Sequence, residues 1–283
     1  MKKIISLLIL VLTFTACDKN EESPFEELVA CFGHNPNELN DGEVQFANCS
    51  EGANSYYWDF GDGKTSTEKE PLHIFDGDFP YNVTLIAYNG NETDTVTKPI
   101  YDDIMVYKPN IYIYPENNIN LCVTISFPMG GEIVESIPAY AEQWCVNIDT
   151  TGKIDNQYDY LFYESKQPNT FQYKKGWCVA RKDINSFFKT NMKQYNFSDT
   201  EINDFIEYWM PLLDENNYYM VYPQTNKIID EIIKLNFSIQ PDNVSRLFYG
   251  VLGVDEYTEI EKPVINPFNR NGFHIIEWGV FRK

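Results

Sequence analysis

The most constraining stretch of the chain is Tyr56-Tyr57-Trp58-Asp59-Phe60-Gly61-Asp62-Gly63. Trp58 and Phe60 stand two apart, so on a strand both point to one face. Gly61 and Gly63 supply the positive φ that a tight turn needs, and Asp62 can bond its own backbone there. Such a run is a core strand entering a hairpin turn, and it requires a sheet with one buried face. Its surroundings read the same way. Residues 28–32 alternate as a first strand, and residues 43–48 alternate again with Val44 and Phe46 inward. Residues 81–87 are β-branched and aromatic on one face, and residues 93–97 and 104–107 close the sheet. Short strands with turn signals every 8–12 residues or so define a β-sandwich.

The same eight residues resemble the W-D-F-G-D-G signature of the PKD (polycystic kidney disease) domain, an immunoglobulin-like sandwich. Pro71-Leu72-His73-Ile74-Phe75 resembles that family's P-x-H-x-(Y/F) segment, and residues 83–87 its V-T-L-x-A strand. The resemblance covers most of residues 28–107. It implies an extracellular spacer or adhesion module that engages protein or carbohydrate. Asp59 and Asp62 read as turn-making acids, because two carboxylates fall short of the roughly six to eight oxygens calcium takes. His73 reads as a packed or hydrogen-bonded histidine, with no His or Cys partner at metal spacing. Cys31 and Cys49 lie on neighbouring predicted strands of an exported chain and predict a disulfide. It would close a loop of about 18 residues and stabilise the fold by ~3 kcal/mol.

The N-terminus reads as an address. Lys2 and Lys3 precede an apolar run over residues 4–14. That run is too short to span a bilayer, which takes about 20 residues. Phe14-Thr15-Ala16-Cys17 resembles the bacterial lipoprotein cleavage box, with Phe14 where the pattern prefers an aliphatic residue. The resemblance implies a signal peptide over residues 1–16 and a mature N-terminus at Cys17 carrying lipid on its sulfur and amine. A tether over residues 17–27 follows. Several acyl chains hold a protein on a membrane, at about 0.8 kcal/mol per buried methylene. Asp18-Lys19-Asn20-Glu21-Glu22 resembles the surface-export signal of Bacteroidetes-type lipoproteins. The predicted location is the cell outer membrane, lipid-anchored and either surface-exposed or periplasmic. The formal charge of −20 argues against nucleic acid as a partner, because phosphates need a basic face. The expected partners are the membrane, through the lipid, and a surface protein or carbohydrate.

Residues 108–283 form the second predicted domain. Lys108-Pro109-Asn110-Ile111-Tyr112-Ile113-Tyr114-Pro115 continues residues 104–107 as one extended strand, and its prolines stop helix on both sides. Further strands are predicted at 121–127, 144–148, 158–163, 177–180, 218–222, 237–239, 246–251 and 273–281. Asp183 can cap a helix over 184–194. Ser198-Asp199-Thr200-Glu201 is a capping box opening a second helix through Trp209, limited by Pro211. Isoleucines over 227–234 have helical spacing. The predicted class is an immunoglobulin-like sandwich followed by an α+β domain, with a mainly antiparallel sheet and an inserted helical hairpin.

Four phrases of this domain resemble an uncharacterised bacterial and fungal family. They are Lys108-Pro109-x-Ile111-Tyr112-x-Tyr114-Pro115, Tyr160-Leu161-Phe162-Tyr163-Glu164, Tyr208-Trp209-x-Pro211, and Gly272-Phe273-His274-Ile275-Ile276-Glu277-Trp278-Gly279. The resemblance implies a fold unit and no mechanism.

Familiar catalytic signatures are absent: no H-E-x-x-H, G-x-S-x-G, Walker loop or G-x-G-x-x-G occurs. The histidines are His34, His73 and His274, too little material for a triad or a metal site. No metal and no cofactor is predicted. Cys122 and Cys145 are the likelier pair among the remaining thiols, leaving Cys178 buried and free. What remains is Glu164, Glu207 and Glu277, carboxylates in aromatic settings. A carboxylate in apolar surroundings has a raised pKa and can act as an acid. Glu164 and Glu277 would make a surface glycan hydrolase if they converged to roughly 5–10 Å. The structural alternative has these glutamates pairing with Arg246 or Arg181. Tyr160, Arg246 and Trp278 are the candidate binding residues. The preferred reading is a non-enzymatic surface lipoprotein whose PKD module presents a partner- or glycan-binding domain. The others are the hydrolase and a structural envelope protein with no diffusible ligand.

Overall fold

The computed structural model describes residues 27–36, 42–77, 79–213 and 215–282. Cys17, the signal segment and nearly all of the tether lie outside the described residues. The chain divides into two compact units. One holds the residues up to Phe75 together with Asn82–Lys98; the other holds Asp76–Tyr81 and Pro99–Lys283.

Strands β1 (Phe32–Pro36), β2 (Glu43–Asn48), β3 (Ser55–Asp59), β4 (Thr65–Ser66), β5 (Leu72–Ile74), β6 (Tyr81–Asn89) and β7 (Glu92–Ile100) build the first architecture. They form two sheets, ordered β1-β2-β5 and β4-β3-β6-β7. Alternation fills the space between them: Val44 and Phe46, Trp58, and Val83, Leu85 and Ala87 are all buried. The Trp58 ring sits 5.2 Å from Phe32 and 5.3 Å from Phe46, and its Nε1 donates to the Glu68 carbonyl at 2.9 Å. The turn after β3 has the predicted chemistry. Asp59 accepts from the Gly61 N–H and Asp62 from the Lys64 N–H, each at 2.9 Å. At Gly61 φ is +77°, and a Cβ there would lie 2.6 Å from the Asn82 carbonyl oxygen, so only glycine fits. His73 stacks on Phe60 at 3.8 Å and bonds Asp62 Oδ2 at 2.8 Å. The predicted Cys31–Cys49 disulfide is formed.

Two expectations fail here. The first strand begins at Phe32, and upstream of it Val29 makes only an isolated bridge to Glu51. Residues 104–107 do not close this sheet. They open β8 (Asp103–Tyr114), which belongs to the other unit.

The second unit continues with β9 (Ile119–Ser126), β10 (Glu132–Ile137), β11 (Trp144–Ile148), β12 (Leu161–Pro168) and β13 (Trp177–Ala180). Helices α1 (Ile184–Gln194) and α2 (Asp199–Trp209) form the hairpin. Then come β14 (Tyr218–Thr225), α3 (Asn226–Ile232), β15 (Lys234–Phe237), β16 (Asn243–Val254) and β17 (His274–Arg282). A seven-stranded sheet runs β10-β12-β8-β17-β16-β14-β13, and a second sheet runs β11-β9-β15. Among the described strands only β16 and β17 pair in parallel. This is the α+β class expected. The Ser198 capping box is present, with the Ser198 N–H donating to Glu201 at 2.8 Å. Asp183, by contrast, makes no side-chain cap. A 3-10 turn over Arg181–Asp183 leads straight into α1 and holds Asp183 in helical dihedrals, not the extended ones a capping residue needs. Strand β10 was not predicted. It is an edge strand carrying Glu132 and Glu135, and its residues are exposed or half-exposed.

The large sheet is buried on both faces. Ile111, Ile113, Tyr163 and Ile275 face the small sheet and α3; Tyr112, Ile276 and Trp278 face the hairpin beside Phe188, Phe205 and Trp209. Adjacent residues on β8 and β17 therefore go to opposite cores. Along β8, Ile104 and Val106 share a face with Ile111 and Ile113, although one pair is even and the other odd. Strict alternation has to slip once between them. It slips at Lys108, whose φ is +56°, and the pairing of β8 shifts register against both β12 and β17 there. This is a β-bulge in the middle of a sheet.

Candidate functional site

The bulge aims Lys108 at the hairpin side of the sheet. Its side chain is half-buried, with Nζ 4.3 Å from the Phe162 ring centroid, 5.3 Å from Tyr208 and 5.4 Å from Tyr160. Burial pushes its pKa down, against the opposing pull of the Glu164, Asp204 and Glu135 carboxylates. The ring faces also favour the ammonium, by about 0.5–1 kcal/mol each at partly exposed sites. Glu164 lies on β12 two residues from Phe162. Burial raises its pKa and the Glu135 charge adds to the rise, while the Lys108 N–H and ammonium work against it. Asp204, on α2, is also raised by burial, even though the Tyr112 hydroxyl donates to it at 2.7 Å. Its acidic neighbours Asp159, Glu207 and Glu201 push the same way as burial.

Beneath these groups sits Asn110. It is fully buried, and neither its amide nitrogen nor its amide oxygen closes a hydrogen bond. The amide faces the hydroxyls of Tyr112 and Tyr160, whose rings pack edge-on at 5.2 Å. The indole nitrogens of Trp278 and Trp209 are likewise buried and unpartnered. A buried polar group without a partner costs about 1–3 kcal/mol. Several of them beside half-exposed rings and shifted acids form the kind of cluster from which ligand sites are made.

The four sequence phrases converge here. Lys108 and Tyr112 come from the first, Tyr160, Phe162 and Glu164 from the second, Tyr208 and Trp209 from the third, and Trp278 from the fourth. Glu277 does not join them. It is fully buried on the opposite face, where it accepts from the Tyr163 hydroxyl at 2.9 Å and pairs with the Arg246 guanidinium. Arg246 also donates to Asp230 at 2.8 Å and to the Ile233 carbonyl. Successive residues of a strand alternate faces, so Glu164, next to Tyr163, points away from Glu277. The two carboxylates cannot flank one glycosidic bond, and the hydrolase built on that pair is corrected. Arg246 is an internal counter-ion to Glu277, which is the structural alternative considered for the glutamate. Trp278 is buried and can offer a ligand only its indole N–H. Tyr160 alone of the three proposed binding residues lies at the half-exposed surface. Glu207 is exposed beside Asp204.

Cys122 and Cys145 pair directly across β9 and β11. Cys178 is free but half-exposed instead of buried, and its sulfur accepts from the Thr258 N–H at 3.4 Å. Sequence reasoning missed the Lys108 side chain, Asn110 and Asp204. The signal for the first was the parity change between Val106 and Ile111. Among the described residues no helix is long and apolar enough to cross a membrane.

The first unit is an immunoglobulin-like sandwich of the kind found outside the cell or at its surface. Residues 35–104 match the family model for the PKD domain, so this part of the chain is a PKD domain. A stretch of 75 residues is 39% identical to a part of Collagenase ColQ1 from Bacillus cereus (strain Q1). The match covers 25% of this chain and 8% of the collagenase, so the two share one module's worth of sequence.

Proposed function

We propose that the protein is a membrane-anchored surface lipoprotein whose PKD module presents a second unit that binds carbohydrate at the Lys108 face. One observation carries the binding reading. Half-exposed rings, an amine, two carboxylates of raised pKa and an unmet buried amide meet at one place. Tyr160 and Tyr208 offer flat apolar surface to the C–H face of a sugar ring. Glu164 and Asp204 offer acceptors for its hydroxyls. The anchor rests on Lys2, Lys3, the apolar run and Cys17, and the surface setting on the PKD domain.

The test is a glycan array followed by calorimetric titration of the soluble chain from residue 18 onward. Binding should drop about tenfold or more in Tyr208→Ala and Asp204→Asn, with circular dichroism unchanged, each losing one contact of ~1.4 kcal/mol or more. A positive array whose affinity ignores both substitutions would place the ligand elsewhere. Lipidation is read by incorporation of labelled fatty acid, which Cys17→Ala should abolish.

A further inference from the structure

We propose that Lys108 is a carbonyl-capturing amine, and that its face takes a small hydroxylated aldehyde, such as the open-chain form of a reducing sugar, as an imine. The inference rests on the carbohydrate reading of the same face and adds a covalent step to it.

Three observations point there. First, the backbone: a lysine at φ +56° in mid-strand adopts a conformation that is strained for an L-residue and free for glycine. The position therefore carries an amine at an energetic disadvantage, as functional sites do. Second, the amine: its nitrogen lies over three aromatic rings, and no ion pair or hydrogen bond holds it among the described residues. Its half-burial works toward the neutral, nucleophilic form, against the ring faces and the Glu164, Asp204 and Glu135 charges that favour the ammonium. Third, the company: Glu164 shares the face and is itself shifted toward the protonated form. The Asp204 carboxylate, half-exposed on the neighbouring helix, can take a hydroxyl of a captured molecule.

The step balances without any further reactant. The neutral Nζ adds to the carbonyl carbon, forming the C–N bond, while the carbonyl π pair moves to oxygen and that oxygen takes the first of the two protons the nitrogen sheds. In the resulting carbinolamine the C–O bond breaks. Glu164 supplies the proton with which the oxygen leaves as water, and the nitrogen releases a proton that restores the carboxyl. Amine and aldehyde become imine and water, with no oxidation or reduction.

The experiment treats the full chain in detergent with glyceraldehyde and cyanoborohydride, which reduces any imine to a stable secondary amine, and quantifies each lysine by peptide mass spectrometry. At about pH 7, Lys108 should be alkylated several-fold faster than the exposed Lys174 and Lys189, because burial lowers its pKa and leaves more of it in the neutral form. The excess should shrink toward unity near pH 10, where surface lysines also lose their protons. Glyceraldehyde should outpace propionaldehyde at Lys108 and nowhere else. Glu164→Gln, checked for folding by circular dichroism, should slow Lys108 alone. Labelling no faster than at Lys174 and Lys189, or equal rates for the two aldehydes, overturns the proposal. Methyl glycosides, which have no free aldehyde, separate the two readings in a parallel titration. If they bind while Lys108 stays unlabelled, the imine is wrong and the carbohydrate site stands. If Lys108 is labelled and they do not bind, the carbohydrate reading fails and the reactive amine stands.

Discussion

Glu277 and Trp278 are neighbours on β17, yet they face opposite sides of one sheet and two different kinds of polar chemistry. On the Glu277 side the charged groups are paired. Arg246 meets Glu277, Asp230 and the Ile233 carbonyl, and Tyr163 completes the carboxylate; among the described residues of this side, Arg246 Nη2, Ser165 Oγ and Gln167 Oε1 are left without a partner. On the Trp278 side things are left open. Lys108 lies against rings in the field of the Glu164, Asp204 and Glu135 carboxylates, and the Asn110 amide, facing the Tyr112 and Tyr160 hydroxyls, and two indoles close no hydrogen bond. Both sides contain buried or half-buried charge beside aromatic rings, so neither burial nor an aromatic setting separates them. What separates them is whether the partners are already supplied by the fold. A closed network rigidifies and an open one is available to a ligand.

The largest expected effect tests the closed side. Glu277→Ala strands the Arg246 charge in the core and should cost the second unit about 3–5 kcal/mol in urea unfolding followed by tryptophan fluorescence. A loss near zero would show that the two sides do not differ. Replacing the pair together, with Arg246→Met and Glu277→Leu, should recover most of that loss, since apolar substitutes for a buried ion pair are commonly neutral or better. On the open side the sign reverses. Asn110→Leu removes a buried amide that closes no hydrogen bond and should leave stability unchanged or raise it by up to about 1 kcal/mol. A loss as large as that of Glu277→Ala would mean Asn110 is satisfied after all.

The smallest effect is in pH. Burial raises the Glu164 and Asp204 pKa values, so the folded state holds their protons more tightly than the unfolded chain does. Their contribution therefore grows as pH falls through the folded values and is lost as pH rises back through them. Thermal unfolding of wild type should gain on mild acidification relative to Glu164→Gln and Asp204→Asn. Asp62 of the first unit runs the other way. Burial alone would raise its pKa, but the Lys64 N–H and His73 hold it down, so its stabilising contribution disappears as pH falls below the ordinary carboxylate range.

How much of this was legible depends on whether a residue's partners are close in sequence. The Trp58–Gly63 turn and the Ser198–Glu201 box are local, and their hydrogen bonds are the ones their spacing implies. Cys122 and Cys145 sat on strands with clear alternation, Cys31 and Cys49 directly beside two such strands, and both bridges formed. Strand β10 was illegible because an exposed edge has no hydrophobic period. The site was half legible. Its phrases were visible, but which face each residue takes depends on one bulge, and a pattern of strict alternation misplaces everything on one side of it. Glu277 drew attention because it precedes a tryptophan; its actual partner is 31 positions away, on β16. Asp204 looked like any helix-surface acid until β8 brought Tyr112 against it across 92 positions.

The two disulfides have a consequence for how the chain would meet a proteinase. Cys122 and Cys145 join β9 to β11 around a segment that includes the exposed Val134 and Ile137. A cut within residues 123–144 would sever the backbone and release nothing. The two fragments would migrate as one molecule until a reductant was added, and the three-stranded sheet that β9 and β11 share would keep its pairing. Residues 32–48 are guarded in the same way by Cys31–Cys49. Damage to either segment would accumulate as silent nicks, visible on a reducing gel long before they showed as lost fold.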